Sequence, residues 1–300
     1  MSKPPGKPRR QCILRFDVDT ELCLREGVPA LEAIARRHET PLSLFVNPGR
    51  AIDRGALFKE ALRGFSGQST TRPPDRPPAL SARDKLGMRE TGRLLLNNPP
   101  TLAQHAGTIR RLAGSGHYIG LHGGHNHAAW QRHAYSWPED RVRREVDWGR
   151  QQLQEAANQP VTGFASPGWT SPENLPDILI QKGFRVLADE RSERCPYPHE
   201  TTHGQILSVP NTLAGEPGGT GYFESLRFRF GKDEQAARNE IDSALETAQP
   251  YLCLYDHPFF VGRHAVELFS HLVTRLLALG YEIVTPDNFV IPEVGESQSQ

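Results

Sequence analysis

The chain has 300 residues, enough for one large α/β domain or two ordinary ones. Lys and Arg together number 35, and so do Asp and Glu; a formal net charge of zero argues against a general polyanion or nucleic-acid binder, which carries a basic excess. No apolar run approaches the ~20 residues needed to cross a bilayer, so at most peripheral membrane association is expected.

The basic, Pro-rich start MSKPPGKPRRQ is followed only by CILRF before an acidic pair, too short an apolar stretch for a secretory signal. The four cysteines, Cys12, Cys23, Cys195 and Cys253, form no CxxC pair. Both features lead to the expectation of a cytoplasmic chain with reduced, buried thiols. Residues 1–11 are expected to be a flexible segment, 12–290 a single domain, and 291–300 a polar tail.

The first expected strand, Cys12 to Phe16, runs into Asp17-Val18-Asp19-Thr20. Carboxylates at i and i+2 on an extended chain point to one side, and together they repel unless a cation or proton sits between them. A capping aspartate or a solvated loop accounts for a lone DxD, and three sharper readings compete with that. A haloacid-dehalogenase-type phosphatase wants Thr two residues after the second Asp, whereas Thr20 follows immediately. A glycosyltransferase DxD holds a metal–nucleotide, usually in mid-chain. A metal hydrolase uses one Asp on the metal and the other on the proton.

A helix over Val28 to His38 and a strand over Leu42 to Val46 follow. The stretch from Gly64 to Pro100, rich in Pro, Ser and Arg, breaks the rhythm and reads as a solvated surface insertion, or alternatively as a flap near a site. A helix over Thr101 to Ala113 leads to a strand over Tyr118 to Leu121. Directly after it comes His122-Gly123-Gly124-His125-Asn126-His127. Three histidines within six positions at a strand end, with a carboxylate pair elsewhere, make a donor set suited to Zn²⁺ or a similar divalent ion.

Next come a helix over Glu139 to Ala157, a strand over Val161 to Ala165, and the turn Ser166-Pro167-Gly168-Trp169. That turn is either an ordinary Pro-Gly turn with a packing tryptophan or a wall of a sugar pocket. A helix over Leu175 to Lys182 closes at Gly183. A strand over Phe184 to Ala188 is followed by Asp189, and another spans Ile206 to Val209. After a helix over Glu234 to Thr247, the strand Tyr251 to Tyr255 runs into Asp256-His257-Pro258, where His257 is either a satisfied core or surface histidine or, from its place at a strand end, an acid. A helix over His264 to Leu279, closed by Gly280, and a strand over Glu282 to Val284 end the series.

Strand–helix alternation implies a mainly parallel sheet. No GxGxxG follows the first strand, which disfavours a dinucleotide-binding fold. Polar residues gathered after several strands favour a barrel, in which those strand ends meet on one face.

Taken in order, LRFDVDT with REGVPALEAI, GLH with a downstream AW, QPVT, GW and the late DHP resemble the polysaccharide-deacetylase family, carbohydrate esterase family four. The resemblance looks closest to its 4-deoxy-4-formamido-L-arabinose-phosphoundecaprenol deformylase branch. It implies an α/β fold, a distorted (β/α) barrel, with a Pro/Arg-rich insertion at 64–100. The implied activity is metal-dependent hydrolysis of a formamide or acetamide on an amino sugar, free or lipid-linked. One divalent ion is implied, Zn first, with Co, Ni or Mn as alternatives.

By matched position, Asp17 would be the general base, and Asp19, His122 and His127 the metal ligands. His257 would be the general acid, with Asp189 as its partner. The family's second metal histidine normally lies four residues after the first, where this chain has Asn126. Spacing back from Trp130 selects His127 over His125. Many members also carry an arginine near Ala165 that tethers the base; here the matched residue is alanine. Trp169, Pro167 and Tyr255 are expected to line the substrate pocket. The alternatives are a catalytically degenerate barrel that binds a glycan or sugar-lipid, and a DxD glycosyltransferase.

Overall fold

A computed structural model describes residues 9–56, 87–215 and 220–291. Residues 1–8, residues 64–86 of the expected insertion and the tail from 292 lie outside the described residues. Strand β1 (Gln11–Val18) is buried throughout, and its side chains divide by parity. Cys12, Leu14, Phe16 and Val18 enter the large core beneath the helices. Ile13 belongs to a second, smaller core shared with Phe45, Tyr118, Ala165, Val186, Tyr251 and Cys253, residues of five other strands. That second core is the inside of a curled sheet, and the same parity sends Arg15 and Asp17 into it.

The remaining strands are β2 (Ser43–Val46), β3 (Tyr118–His122), β4 (Gly163–Ala165), β5 (Val186–Leu187), β6 (Tyr197–Thr201), β7 (Gly204–Ser208), β8 (Tyr251–Asp256) and β9 (Glu282–Ile283). Their order is β6-β7-β5-β4-β3-β2-β1-β8, with β9 also on β1. Every pairing between these strands is parallel except the β6–β7 hairpin. The curl closes through residues 211–213. Asn211 N donates to Glu190 O (2.8 Å), Leu213 N to Cys253 O (2.9 Å), and Tyr255 N to Leu213 O (2.8 Å). A chain segment thus bridges the end of β5 to the free edge of β8, which gives the distorted (β/α) barrel expected from the sequence.

Nine helices of at least seven residues are described: α1 (Val28–Arg37), α2 (Met88–Leu96), α3 (Ala106–Gly114), α4 (His127–His133), α5 (Glu139–Ala157), α6 (Leu175–Gln181), α7 (Glu234–Glu246), α8 (Pro258–His264) and α9 (Val266–Ala278). Each longer one buries an apolar stripe: Val28, Leu31, Ile34 and Ala35 in α1, and Val142, Val146 and Leu153 in α5. Gly183 and Gly280, at φ +77° and +78°, end α6 and α9 in the left-handed region. No helix of the described residues is long and apolar enough to cross a membrane.

Four elements differ from expectation. Helix α2 lies within the stretch read as an insertion. Helices α4 and α8 follow the two histidine motifs directly. Strand β6 is an added antiparallel edge. All parallel strands of the barrel deliver their C-terminal ends to one rim, where Asp17, His122, Ala165 and Asp256 lie.

Candidate metal centre and active site

Asp17 and Asp19 leave β1 toward the barrel mouth. In β3, Ile119 and Leu121 enter the helix-side core, so Tyr118, Gly120 and His122 face the interior. A Cβ at Gly120 would lie 2.5 Å from the Phe45 ring; the absent side chain lets Phe45 lie across the barrel floor. His122 Nδ1 lies 2.9 Å from Ala165 O across the β3–β4 pair. A carbonyl oxygen only accepts, so Nδ1 carries the hydrogen and neutral His122 presents its Nε2 lone pair to the centre.

The next ligand position is set by a helix start. Asn126 Oδ1 accepts the Ala129 N–H at 2.9 Å, capping α4, and Asn126 Nδ2 donates to Ile52 O at 3.0 Å. His127, the first residue of α4, is buried there, and its backbone N–H donates to Arg50 O (2.9 Å). His125 turns outward. It stacks on Trp148 with centroids 3.9 Å apart, and its Nδ1 lies 3.0 Å from Glu145.

Asp19 Oδ1 therefore lies 3.3 Å from His122 Nε2 and 3.3 Å from His127 Nε2. Both Asp19 Oδ1 and His127 Nε2 are buried without a hydrogen-bond partner among the described residues. Lone pairs facing one another at this separation repel unless a cation or a proton stands between them. A tetrahedral ion about 2.0–2.2 Å from each donor separates them by about 3.3–3.6 Å. Asp19, His122 and His127 fit a divalent metal by donor chemistry and by spacing. Burial raises the Asp19 carboxyl, but the imidazoles of His127, His257 and His122 around it outweigh that and hold Asp19 well below the usual carboxylate range. His122 is moved up: burial lowers it, and Asp17 and Asp19 overcome that.

Asp17 is gripped from its own strand. Arg15 Nε donates to Oδ1 (2.9 Å) and Nη2 to Oδ2 (2.8 Å), with both side chains fully buried. Arg15 also donates to Ala188 O and to Asn211 Oδ1 (3.1 Å), and its guanidinium lies 5.0 Å from both the Phe45 and Tyr255 ring centres. Burial works against the Arg15 charge, but Asp17 wins and pushes its pKa further up. Arg15 thus fills the tethering place that the sequence match assigned to a missing arginine near Ala165. Its spacing of two from Asp17 on one strand was the signal that could have revealed it.

His257 follows β8. Its Nε2 lies 3.4 Å from Asp19 Oδ2 and 3.3 Å from the Tyr255 hydroxyl. Its Nδ1 faces Glu224 Oε2 at 3.3 Å. The expected partner, Asp189, is engaged elsewhere: its oxygens accept the Ser166 backbone N–H and the Ser171 hydroxyl, each at 2.6 Å. Glu224 takes the partner's place because the turn Tyr222–Glu224 docks on the end of β8. There Asp256 Oδ2 accepts Phe223 N (2.6 Å) and Oδ1 accepts His257 N (2.7 Å). Burial and the nearby Glu224 carboxylate push Asp256 up to about 7. Nothing in the sequence pattern around Glu224 marked it.

The structure gathers Asp17, Asp19, His122, His127, Tyr255 and His257 at one mouth. Pro167 packs over Gly123, where a Cβ would sit 2.6 Å from the Pro167 ring. Trp169 meets Tyr255 edge-on at 5.1 Å. A divalent cation held there would supply Lewis-acid polarisation of an acyl oxygen, while the held carboxylate can take a proton from water and the histidine can give one to a leaving group.

Comparison with known proteins gives the same direction. Residues 6–187 match the family model described as "Polysaccharide deacetylase". A relative in Shewanella sediminis (strain HAW-EB3) is 30% identical over 67% of this chain and 62% of its own length. One in Wigglesworthia glossinidia brevipalpis is 36% identical over 34% of this chain and 36% of its own. Each is named a probable 4-deoxy-4-formamido-L-arabinose-phosphoundecaprenol deformylase, ArnD. The aligned part spans less than two thirds of either relative. Among solved structures, one described as a polysaccharide deacetylase from Mycobacterium smegmatis superposes with a TM-score of 0.59 at 18% identity, covering 94% of this chain and 88% of the other. That likeness concerns the fold.

Proposed function

The chain belongs to the polysaccharide deacetylase family, and from that premise we propose that it hydrolyses the amide of an N-formylated or N-acetylated amino sugar with the help of one divalent metal ion. Asp19, His122 and His127 would hold the ion, with Zn²⁺ first among candidates and Co²⁺, Ni²⁺ or Mn²⁺ as alternatives. The observation that carries the reading is Asp19 Oδ1 poised 3.3 Å from two imidazole nitrogens, beside a second carboxylate fixed by Arg15.

A bound divalent ion supplies Lewis-acid polarisation of the acyl oxygen and eases deprotonation of water. Arg15 fixes the plane of the Asp17 carboxylate by its two-point contact, so that Asp17 can take the proton of the attacking water. His257, flanked by Glu224 and Tyr255, hands a proton to the amine as the C–N bond breaks. The products are formate or acetate and a free amino sugar. Pro167, Trp169 and Tyr255 would wall the sugar's side of the mouth.

The names of the two relatives support a sugar carried on a lipid phosphate, and a free sugar is the other form to test. The experiment is an NMR assay for released formate and acetate from N-formyl- and N-acetyl-amino sugars by the Zn²⁺- or Co²⁺-loaded chain. Release that disappears in Asp17→Asn supports the proposal. Ligand binding without release in the unmodified chain would instead make it a glycan-binding barrel.

A further inference from the structure

The loop from Ser166 to Ser171 is held by contacts that the mechanism above does not use. Asp189, just past β5, closes it from both ends by accepting the Ser166 N–H and the Ser171 hydroxyl. The two serine hydroxyls are also 2.7 Å apart. Within the loop Gly168 has φ +62° and Trp169 φ +55°. A Cβ on Gly168 would lie 2.4 Å from the Gln131 side chain, so glycine alone fits. A tryptophan in the left-handed region is a true outlier, kept only where its surroundings over-determine it. The locks are Trp169 N to Ser166 O (2.9 Å), Thr170 N to Pro167 O (3.3 Å) and Trp130 Nε1 to Thr170 O (2.9 Å).

The conformation carries a second cost. Trp169 Nε1 is buried without a hydrogen-bond partner among the described residues. What the loop gains is placement: a half-buried indole edge-on to Tyr255, whose hydroxyl reaches His257. The loop also begins one residue after Ala165, whose carbonyl orients His122.

We propose that Asp189 is a positioning residue for substrate specificity: by stapling the Ser166–Ser171 loop it holds Trp169 in its strained conformation as the platform on which the amino-sugar ring stacks. This deepens the proposed function and rests on it. It assigns Asp189 to the sugar and leaves His257 to Glu224. Hydrogen bonding, not negative charge, is what the staple needs. An asparagine can still accept from Ser166 N and donate to the Ser171 oxygen, whereas alanine can do neither.

The test compares Asp189→Ala, Asp189→Asn, Ser171→Ala and Trp169→Ala in the metal-loaded full chain. Steady-state hydrolysis uses N-acetylglucosamine and, as a substrate without a sugar, 4-nitrophenyl acetate. Calorimetric binding of N-acetylglucosamine gives a readout independent of turnover, and metal content and circular dichroism check each variant. Asp189→Ala and Trp169→Ala are expected to raise KM and Kd for the sugar about ten-fold, and Asp189→Ala is expected to keep kcat and nitrophenyl acetate turnover within about two-fold of wild type. Ser171→Ala, which keeps half the staple, should show a smaller rise should Asp189→Ala not fold, and Asp189→Asn should restore most of the affinity. Equal losses of kcat in Asp189→Asn and Asp189→Ala would overturn the inference in favour of a charge role, as would an unchanged sugar Kd in Asp189→Ala. A wild type that binds the sugar with these variant effects yet releases no acid would sink the proposed reaction and leave the staple standing. A wild type that binds no acylated sugar would overturn both.

Discussion

Replacing Arg15 by methionine leaves Asp17 as a buried carboxylate without its guanidinium. Arg15 and Asp17 are 0% and 1% exposed, so water cannot substitute, and removing one partner of such a pair costs about 3–5 kcal/mol. Ala188 O and Asn211 Oδ1 lose a donor as well, at about 1 kcal/mol each where buried. With about 2–4 °C per kcal/mol for a domain of this size, the melting temperature should fall by roughly 10 °C or more. The melt is followed by circular dichroism after chelation, because a metal bound beside Asp17 would mask part of the loss. The double variant Arg15→Met/Asp17→Asn removes the stranded charge as well. It should be about 1–3 kcal/mol more stable than Arg15→Met alone. If Arg15→Met melts within about 1 kcal/mol of wild type, or if the second substitution brings no recovery, the tether is not what the buried pair supplies.

Three further outcomes follow from the same geometry. Asp256 stands at about 7 in the folded chain against 3.8 as its ordinary value, so the native state holds an extra proton between those limits. Stability contributed by this group is therefore present at low pH and is lost as pH rises from about 4 to about 7, up to about 4 kcal/mol in all. Urea midpoints at pH 5 and pH 8 should differ less in Asp256→Asn than in wild type, and equal differences would remove the assignment. His127→Ala should weaken Zn²⁺ binding on the order of 100-fold or more while His125→Ala leaves it nearly unchanged, read by competition with a chelating dye; the reverse order would exchange the two histidines. Gly120→Ala pushes a methyl into the Phe45 ring, at a cost of about 1–3 kcal/mol in denaturant unfolding, and a neutral result would mean that the barrel floor is loosely packed.

The alternation of strands and helices carries the barrel plainly because each longer helix has one continuous apolar stripe and each inner strand a run of apolar residues. Periodicity fails where elements are short or half-wet. Helix α4 has seven residues, too few for a stripe to register. Strand β6 (Tyr197–Thr201) alternates half-buried and exposed positions on a polar edge. Helix α8 opens with Pro258-Phe259-Phe260, an apolar run that is equally good in a strand. At the site, Asp17 and Asp19 were legible from strand parity, and the same parity pointed to Arg15. The choice of His127 over His125 has a local cause in the Asn126 cap. The pairing of Glu224 with His257 depends on residues 33 positions apart meeting at the end of β8. Spacing carries no trace of such a contact. Asp189 sits at a strand end as expected, yet its two oxygens turn to the Ser166–Ser171 loop.

The central claim is a single divalent ion held by Asp19, His122 and His127. Anomalous X-ray diffraction from a Zn²⁺-loaded crystal tests it most directly. The account predicts one strong peak about 2.0–2.2 Å from Asp19 Oδ1, His122 Nε2 and His127 Nε2. A crystal with no peak there, or with its peak at the neighbouring Glu224, Asp256 and His257 cluster, would contradict it.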